Sequence, residues 1–386
     1  NPTGAVFNPD TMRMEVVDFM AVLFNPVAQA KFVHTVSAGY VLGAVFVMAI
    51  SAFYLLRGTH VEMARRSFAV AAAFGLLSSL SVVVLGDESG YAANEHQKMK
   101  LAAIEAMWET EAAPADFTAF GIPNQQTHRN DYAVKIPYLM GLIATRSLDQ
   151  PIPGILELVG RAEHRIRGGQ IAYGALQRIR ANKDDAEARK VFEAHWQDLG
   201  HGLLLKRYRD DIGNATPQQI AQAAMDTVPR VLPLFWTFRI MAAIGIYLIA
   251  FFAIAFWFAC KHNFQEKRWF LTLALWSLPL PWIAIECGWF VAEYGRQPWA
   301  VEGVLPTFYA ASGLDLYEIV LTLVGFTALY TTLLVIAIKL SLKTIRKGPD
   351  ALFPPSQRTP SPHNSSPHAS SPDAPLSTGA LAGGAP

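Results

Sequence analysis

The chain has 386 residues and a net charge of +1; 52% of the residues are hydrophobic and 16% charged, against about 25% charged in an ordinary soluble domain. That balance excludes a global basic field, and with it a nucleic-acid-binding surface. Only Cys260 and Cys287 could pair, and both lie in apolar runs, so neither a disulfide framework nor a cysteine metal site is supported.

The missing charge is concentrated in long apolar runs. The opening Asn1-Pro2-Thr3-Gly4 has no positively charged stretch ahead of an apolar core, so it is not a signal peptide and reads as an internal starting point. A helix needs about 20 apolar residues to cross a bilayer. Five segments supply them, at 32–56, 67–86, 232–260, 269–292 and 314–340. Phe235, Trp236, Trp269, Trp289 and Tyr294 sit near their ends, where amphipathic rings prefer the interface. The loop 57–66 carries Arg57, Arg65 and Arg66; the loop 261–268 carries Lys261, Lys267 and Arg268; the last span ends in Lys339, Lys343, Arg346 and Lys347. Five spans put these three places on one side, which the positive-inside tendency makes cytoplasmic, so 87–231 and 293–313 face the periplasm.

The expected class is therefore an all-α integral membrane protein with a helical periplasmic loop domain. An interfacial segment and two spans occupy 1–86, the loop domain 87–231, three further spans 232–345 and a tail 346–386. The loop domain shows helical patterning around 95–111 and 153–181, with proline-containing joints at 114, 123, 137, 151 and 153. The tail is rich in Pro, Ser, Ala and Gly and has too little apolar surface to order itself.

Ionisable side chains inside spans are costly and mark functional sites by default. His34 lies one turn inside the first span; taken alone, it also fits a histidine bonded to a neighbouring helix. Met241 lies about 13 Å along its span, where a lone methionine is ordinarily packing. Arg239, two residues earlier, either snorkels or pairs with the carboxylate of a bound group. Glu286, Trp289 and Glu293 are spaced by three and four and share one helix stripe. A deep carboxylate such as Glu286 must find a partner or stay protonated. His34, Met241 and Glu293 all fall near the periplasmic ends of their spans. Histidine with methionine is a known axial pair for a low-spin haem.

The residues that unify these observations are Lys31-Phe32-Val33-His34-Thr35-Val36-Ser37-Ala38-Gly39-Tyr40, Gly86-Asp87-Glu88-Ser89-Gly90-Tyr91, Lys100-Leu101-Ala102-Ala103-Ile104-Glu105, Phe238-Arg239-Ile240-Met241 and Gly288 through Trp299, which ends in Gly-Arg-Gln-Pro-Trp. Together they resemble subunit I of cytochrome bd-type quinol oxidases, in the form with a long quinol loop, over residues 1–345. The resemblance implies His34 and Met241 as axial ligands of a low-spin haem b and Glu293 as the ligand of a high-spin haem b. It places Arg239 beside the low-spin haem, Trp289 near the haem pair and Arg296 at a propionate, and makes Lys100 and Glu105 the quinol-site residues. It further implies haem d, ubiquinol or menaquinol as substrate, oxygen as acceptor, a bacterial inner membrane, a second large membrane subunit and small single-span subunits. Family members begin with further spans carrying a histidine ligand of haem d, which no residue of this sequence matches. The alternative is a membrane haem b fragment that oxidises quinol without oxygen chemistry.

The chemistry of the residues agrees with these roles. Quinol oxidation releases protons with its electrons, so a carboxylate such as Glu105 can accept one while Lys100 holds the quinol oxygen. A spacing of five residues separates the two by about 140° on an ideal helix, so they do not share a face.

Overall fold

The computed structural model describes residues 2–147 and 149–349; most of the expected tail, from 350 on, lies outside them. The chain opens with a hairpin of β1 (Ala5–Asn8) and β2 (Arg13–Val16), followed by a short α1 (Phe19–Leu23). Phe7 packs on Phe192 and Asp10 ion-pairs with Arg189, so the hairpin is fastened to the loop domain.

Four of the five expected spans are present as single helices, each longer than its apolar window. α2 (Pro26–Arg57) starts where the Asn25 side chain caps the Val27 amide and proline occupies the first turn, and it stops at Gly58 with φ +67°. α3 (Val61–His96) follows almost at once. The expected loop 57–66 thus shrinks to a three-residue turn, and Arg65 and Arg66 sit on helix instead. Hydropathy marks where lipid ends, whereas the helix continues into the interface as long as its backbone bonds are satisfied. α3 also runs through the Gly86–Tyr91 motif, which the sequence placed at the edge of the loop domain.

α9 (Val231–Cys260) is continuous, but the fourth span is broken into α10 (Arg268–Trp276) and α11 (Leu280–Tyr294). Pro279 has no amide to donate. The Ser277 hydroxyl covers the break, bonding to the Leu273 carbonyl at 2.8 Å and to the Tyr247 hydroxyl at 2.7 Å. α2, α3, α9 and α10 share a core containing Met48, Phe68, Phe251, Phe252 and Phe270. Gly75 of α3 lets α9 approach: a Cβ there would lie 2.0 Å from Phe252 Cε1. α11 packs on α9 and α2. α12 (Leu316–Lys347) is a fifth helix long and apolar enough to span, with no buried residue of its own.

Between α3 and α9 lies the loop domain. It begins with α4 (Lys98–Glu105) and continues with a hairpin of β3 (Phe117–Asn124) and β4 (Arg129–Ile136), which the helical expectation missed. Register shifts around Phe120, and Pro123 within the strand, break the period-two pattern that would have announced it. Asn130 pins the hairpin to the end of α4, accepting from Trp108 Nε1 at 2.9 Å and donating to the Ala106 carbonyl at 2.8 Å. α5 (Ile155–Ala181) forms where the patterning over 153–181 expected a helix, and α6 (Ala186–His195), α7 (Leu199–Leu203) and α8 (Pro217–Met225), which no patterning marked, complete the domain. After α11 comes a small hairpin of β5 (Trp299–Val301) and β6 (Leu305–Pro306).

Candidate functional site

The first part of the site is α4. Each of its residues from Lys100 to Glu105 is buried, and the helix ends at Ala106 with φ +51°. Burying an ammonium and a carboxylate within two turns requires partners for both, and they find them in opposite directions. Lys100 Nζ donates to the Ala292 carbonyl at the end of α11 at 2.9 Å, and more weakly to Gln97 Oε1 at 3.4 Å. Its methylene stem lies on Gly295, where a Cβ would come within 3.1 Å of Lys100 Cγ. Glu105 faces α9 instead, where Arg239 Nη2 donates to Glu105 Oε2 at 2.8 Å. The two are therefore on different faces, as the spacing required.

The Arg239 guanidinium is ringed by acceptors of the loop domain. Nε donates to the Thr118 carbonyl at 3.1 Å and Nη1 to the Ile104 carbonyl at 2.7 Å, and the group lies 3.6 Å from the Phe235 ring centre. Burial pushes the Glu105 carboxyl above the usual carboxylate range against the pull of Arg239. Burial, helped by the charge of Lys31, lowers Lys100 to about 8.

The second part consists of the side chains on the spans. His34 of α2 is half-buried against α3, with Gly86 opposite its ring, and its Nδ1 is buried without a hydrogen-bond partner. Met241 of α9 lies against α11, where a Cβ on Gly288 would stand 3.0 Å from its Sδ, so glycine there gives the thioether room. Glu293 near the end of α11 accepts from Arg296 Nη2 at 2.5 Å. Glu286 and Trp289 share its stripe and are exposed, so this stripe faces away from the described part of the chain.

Among the described residues no group of three or more His, Cys, Asp or Glu is arranged to hold a bare metal ion. A half-buried imidazole with its Nδ1 unpartnered, a thioether packed on a glycine and a carboxylate on three different spans do fit haem iron, which takes one or two protein ligands per site. Several neighbours of these groups carry no sequence signal: the Ala292 carbonyl and Gln97 beside Lys100, and the loop-domain carbonyls around Arg239. Only the fold brings them in.

Donors of this kind on membrane helices are those that a haem-bearing electron-transfer subunit requires. Comparison with known proteins makes this specific. The chain belongs to the family described as cytochrome bd terminal oxidase subunit I, whose model matches residues 1–349. It is 45% identical over 351 residues to the cytochrome bd-II ubiquinol oxidase subunit 1 of Escherichia coli, covering 91% of this chain and 68% of that one. It is 25% identical to the cytochrome bd ubiquinol oxidase subunit 1 of Bacillus subtilis, covering 88% of this chain and 60% of that one. Its fold matches the bd oxidase from Geobacillus thermodenitrificans with a TM-score of 0.63 at 22% identity, over 90% of this chain and 64% of that one. The chain thus spans about two thirds of the length of these relatives. Membership makes it an oxidoreductase subunit of the terminal-oxidase class.

Proposed function

We propose that the chain forms the quinol-oxidising, haem b-carrying part of a cytochrome bd-type oxidase in a bacterial inner membrane, with the loop domain on the periplasmic side. His34 and Met241 would hold a low-spin haem b, and Glu293 a high-spin haem b, with Arg296 and Trp289 beside them. When bound, the haems, haem d included, supply one-electron transfer and the reduction of oxygen to water.

The chain's own residues bind the substrate and move its protons. Lys100 binds an oxygen of ubiquinol or menaquinol, and Glu105 accepts a proton as its electrons leave. Protons released outside and consumed from the cytoplasm build a proton motive force without a pump. A second large membrane subunit and small single-span subunits complete the assembly.

One observation carries this reading. The two quinol-site candidates on α4 each touch a residue close in sequence to a ligand candidate. Lys100 bonds to Ala292, next to Glu293, and Glu105 bonds to Arg239, two residues before Met241. A substrate held at α4 would therefore lie within one or two residues of two candidate haem ligands, by two separate routes.

The test is a reduced-minus-oxidised spectrum of the purified complex, with and without carbon monoxide, together with the turnover of Glu105→Ala. Haem b bands with a red-shifted, carbon monoxide-sensitive chlorin band, and slow quinol turnover with the haems retained in Glu105→Ala, are expected. Haem b bands alone would limit the chain to electron transfer from quinol, and normal turnover of Glu105→Ala would remove the role given to that carboxylate.

A further inference from the structure

The proton side of the reaction leaves a gap in the site as described. Glu105 is committed to Arg239 and faces α9, whereas Lys100 points the other way, to the end of α11. A quinol oxygen bound at Lys100 needs a proton acceptor on that side, and Glu293 there is bound by Arg296.

The β5–β6 hairpin supplies one. The chain passes directly from the Lys100 contact at Gly295 into this hairpin. Trp299 is buried and packs on the His201 ring of α7 with centres 4.9 Å apart. At the turn, Gly303 has φ +70°, and its backbone meets Gly200 so closely that a Cβ on Gly200 would lie 2.2 Å from the Gly303 carbonyl oxygen. Arg165 lies beside the same turn, its own position fixed by Asp198 at 2.8 Å and the Gln197 carbonyl at 3.0 Å. The backbone of Glu302 is thus held from both sides. Its half-buried carboxylate is faced by Lys100 from α4 and Arg165 from α5, and Lys100 is in turn faced by Lys31, Glu293 and Arg296. Unlike Glu105 and Glu293, it ion-pairs with none of the described lysines or arginines.

We infer that Glu302 is the proton acceptor for the quinol oxygen bound at Lys100, so that the β5–β6 turn is part of the quinol site. The inference rests on the reading of Lys100 given above. In the step, an O–H bond of the quinol breaks and its proton passes to a Glu302 carboxylate oxygen. The accompanying electron goes to a one-electron acceptor of the ferric haem class, and the carboxylic acid later returns the proton to outside water. Burial raises the Glu302 carboxyl to about 7, which suits a group that must take and release a proton near neutrality. The neighbouring His201 does not compete, because burial and the charge of Arg165 hold its imidazole down at about 3.

The test uses the complete oxidase with a soluble ubiquinol analogue, comparing wild type, Glu302→Gln, Glu302→Asp and Lys100→Ala. Glu302→Gln is expected to lower kcat on the order of 10-fold to 100-fold and to erase an acid limb that wild type shows near pH 7, where the carboxylate becomes protonated and can no longer accept. Glu302→Asp should keep that limb. Oxidation of an aromatic diamine that gives electrons without protons should be unchanged in both. An unaltered kcat and pH profile in Glu302→Gln would overturn the inference. Should that variant fail to assemble with its haems, the wild-type profile decides, and a flat one between about pH 6 and 8 overturns it. Normal quinol kinetics in Lys100→Ala would instead sink the reading of the quinol site itself.

Discussion

Arg239 and Glu105 meet across 2.8 Å with side chains only 8% and 4% exposed, joining the helix that carries Met241 to the helix that opens the loop domain. Every other acceptor described around this guanidinium is a backbone carbonyl, so Glu105 is its only charge partner among the described residues. The pair makes the seating of the loop domain and the environment of Met241 one structural unit.

Removing one partner should cost far more than removing both. Arg239→Leu leaves Glu105 buried and uncompensated, a loss of about 3–5 kcal/mol. Burial already raises the Glu105 carboxyl, so in that variant it should be protonated. Thermal unfolding of the purified complex should show a large drop for Arg239→Leu and a partial recovery for Arg239→Leu combined with Glu105→Leu. Equal drops in the single and double variants would mean that the two charges are not coupled.

Met241→Leu keeps the volume in the Gly288 niche but removes the thioether. Thioether ligation raises a haem's potential, so the low-spin haem should be lost or titrate at a lower potential. Spectroelectrochemical titration checks this, and an unchanged spectrum and midpoint would remove Met241 as a ligand.

Gly75→Ala should loosen the membrane core, because the added methyl would meet Phe252 at 2.0 Å between two packed helices. Overpacking of this kind costs about 1–3 kcal/mol. A lower unfolding temperature is expected, partly restored when Phe252→Leu is added; restoration would show that the ring, and not a helix-propensity effect, is the obstacle.

The lowered value of Lys100 makes quinol binding sensitive to alkaline pH. The ammonium is present below about 8 and is lost above it, where the ordinary side chain would still be charged. Over the window from there to about pH 10.4 the unfolded chain binds more protons than the folded one, so this group adds stability as pH rises. Its charge on a quinol oxygen is lost over the same window, so KM for quinol should climb past pH 8 in wild type. Lys100→Met should have a high KM at every pH and no such climb.

How much of this could be read in the sequence depends on the range of the interaction. The spans were legible because the bilayer imposes a length and a composition on each segment separately. The opposite directions of Lys100 and Glu105 were legible too, since five residues along one helix fix an angle. The break at Pro279 was not, because a window average hides Pro279 and Pro281 among leucines and tryptophans. The β3–β4 hairpin was missed because its bulges and Pro123 erase the alternation. The partners that give the site its chemistry, namely the Ala292 carbonyl for Lys100, Glu105 for Arg239, and Arg165 and His201 around the Glu302 turn, come from segments far apart in the chain. No spacing rule reaches them.

The contact between Gly200 and Gly303 bears on how such a chain can diversify. Two backbones touching with no side chain between them leave no slack, so the segment from Asp198 to Leu205 and the turn after Trp299 must be inherited as a matched pair. The exposed residues Gln126 and Thr127, at the tip of the β3–β4 hairpin, bear no such restriction. Loop domains that grow or shrink over evolution should therefore do so at that tip, while the lengths of chain on either side of the two glycines stay nearly constant.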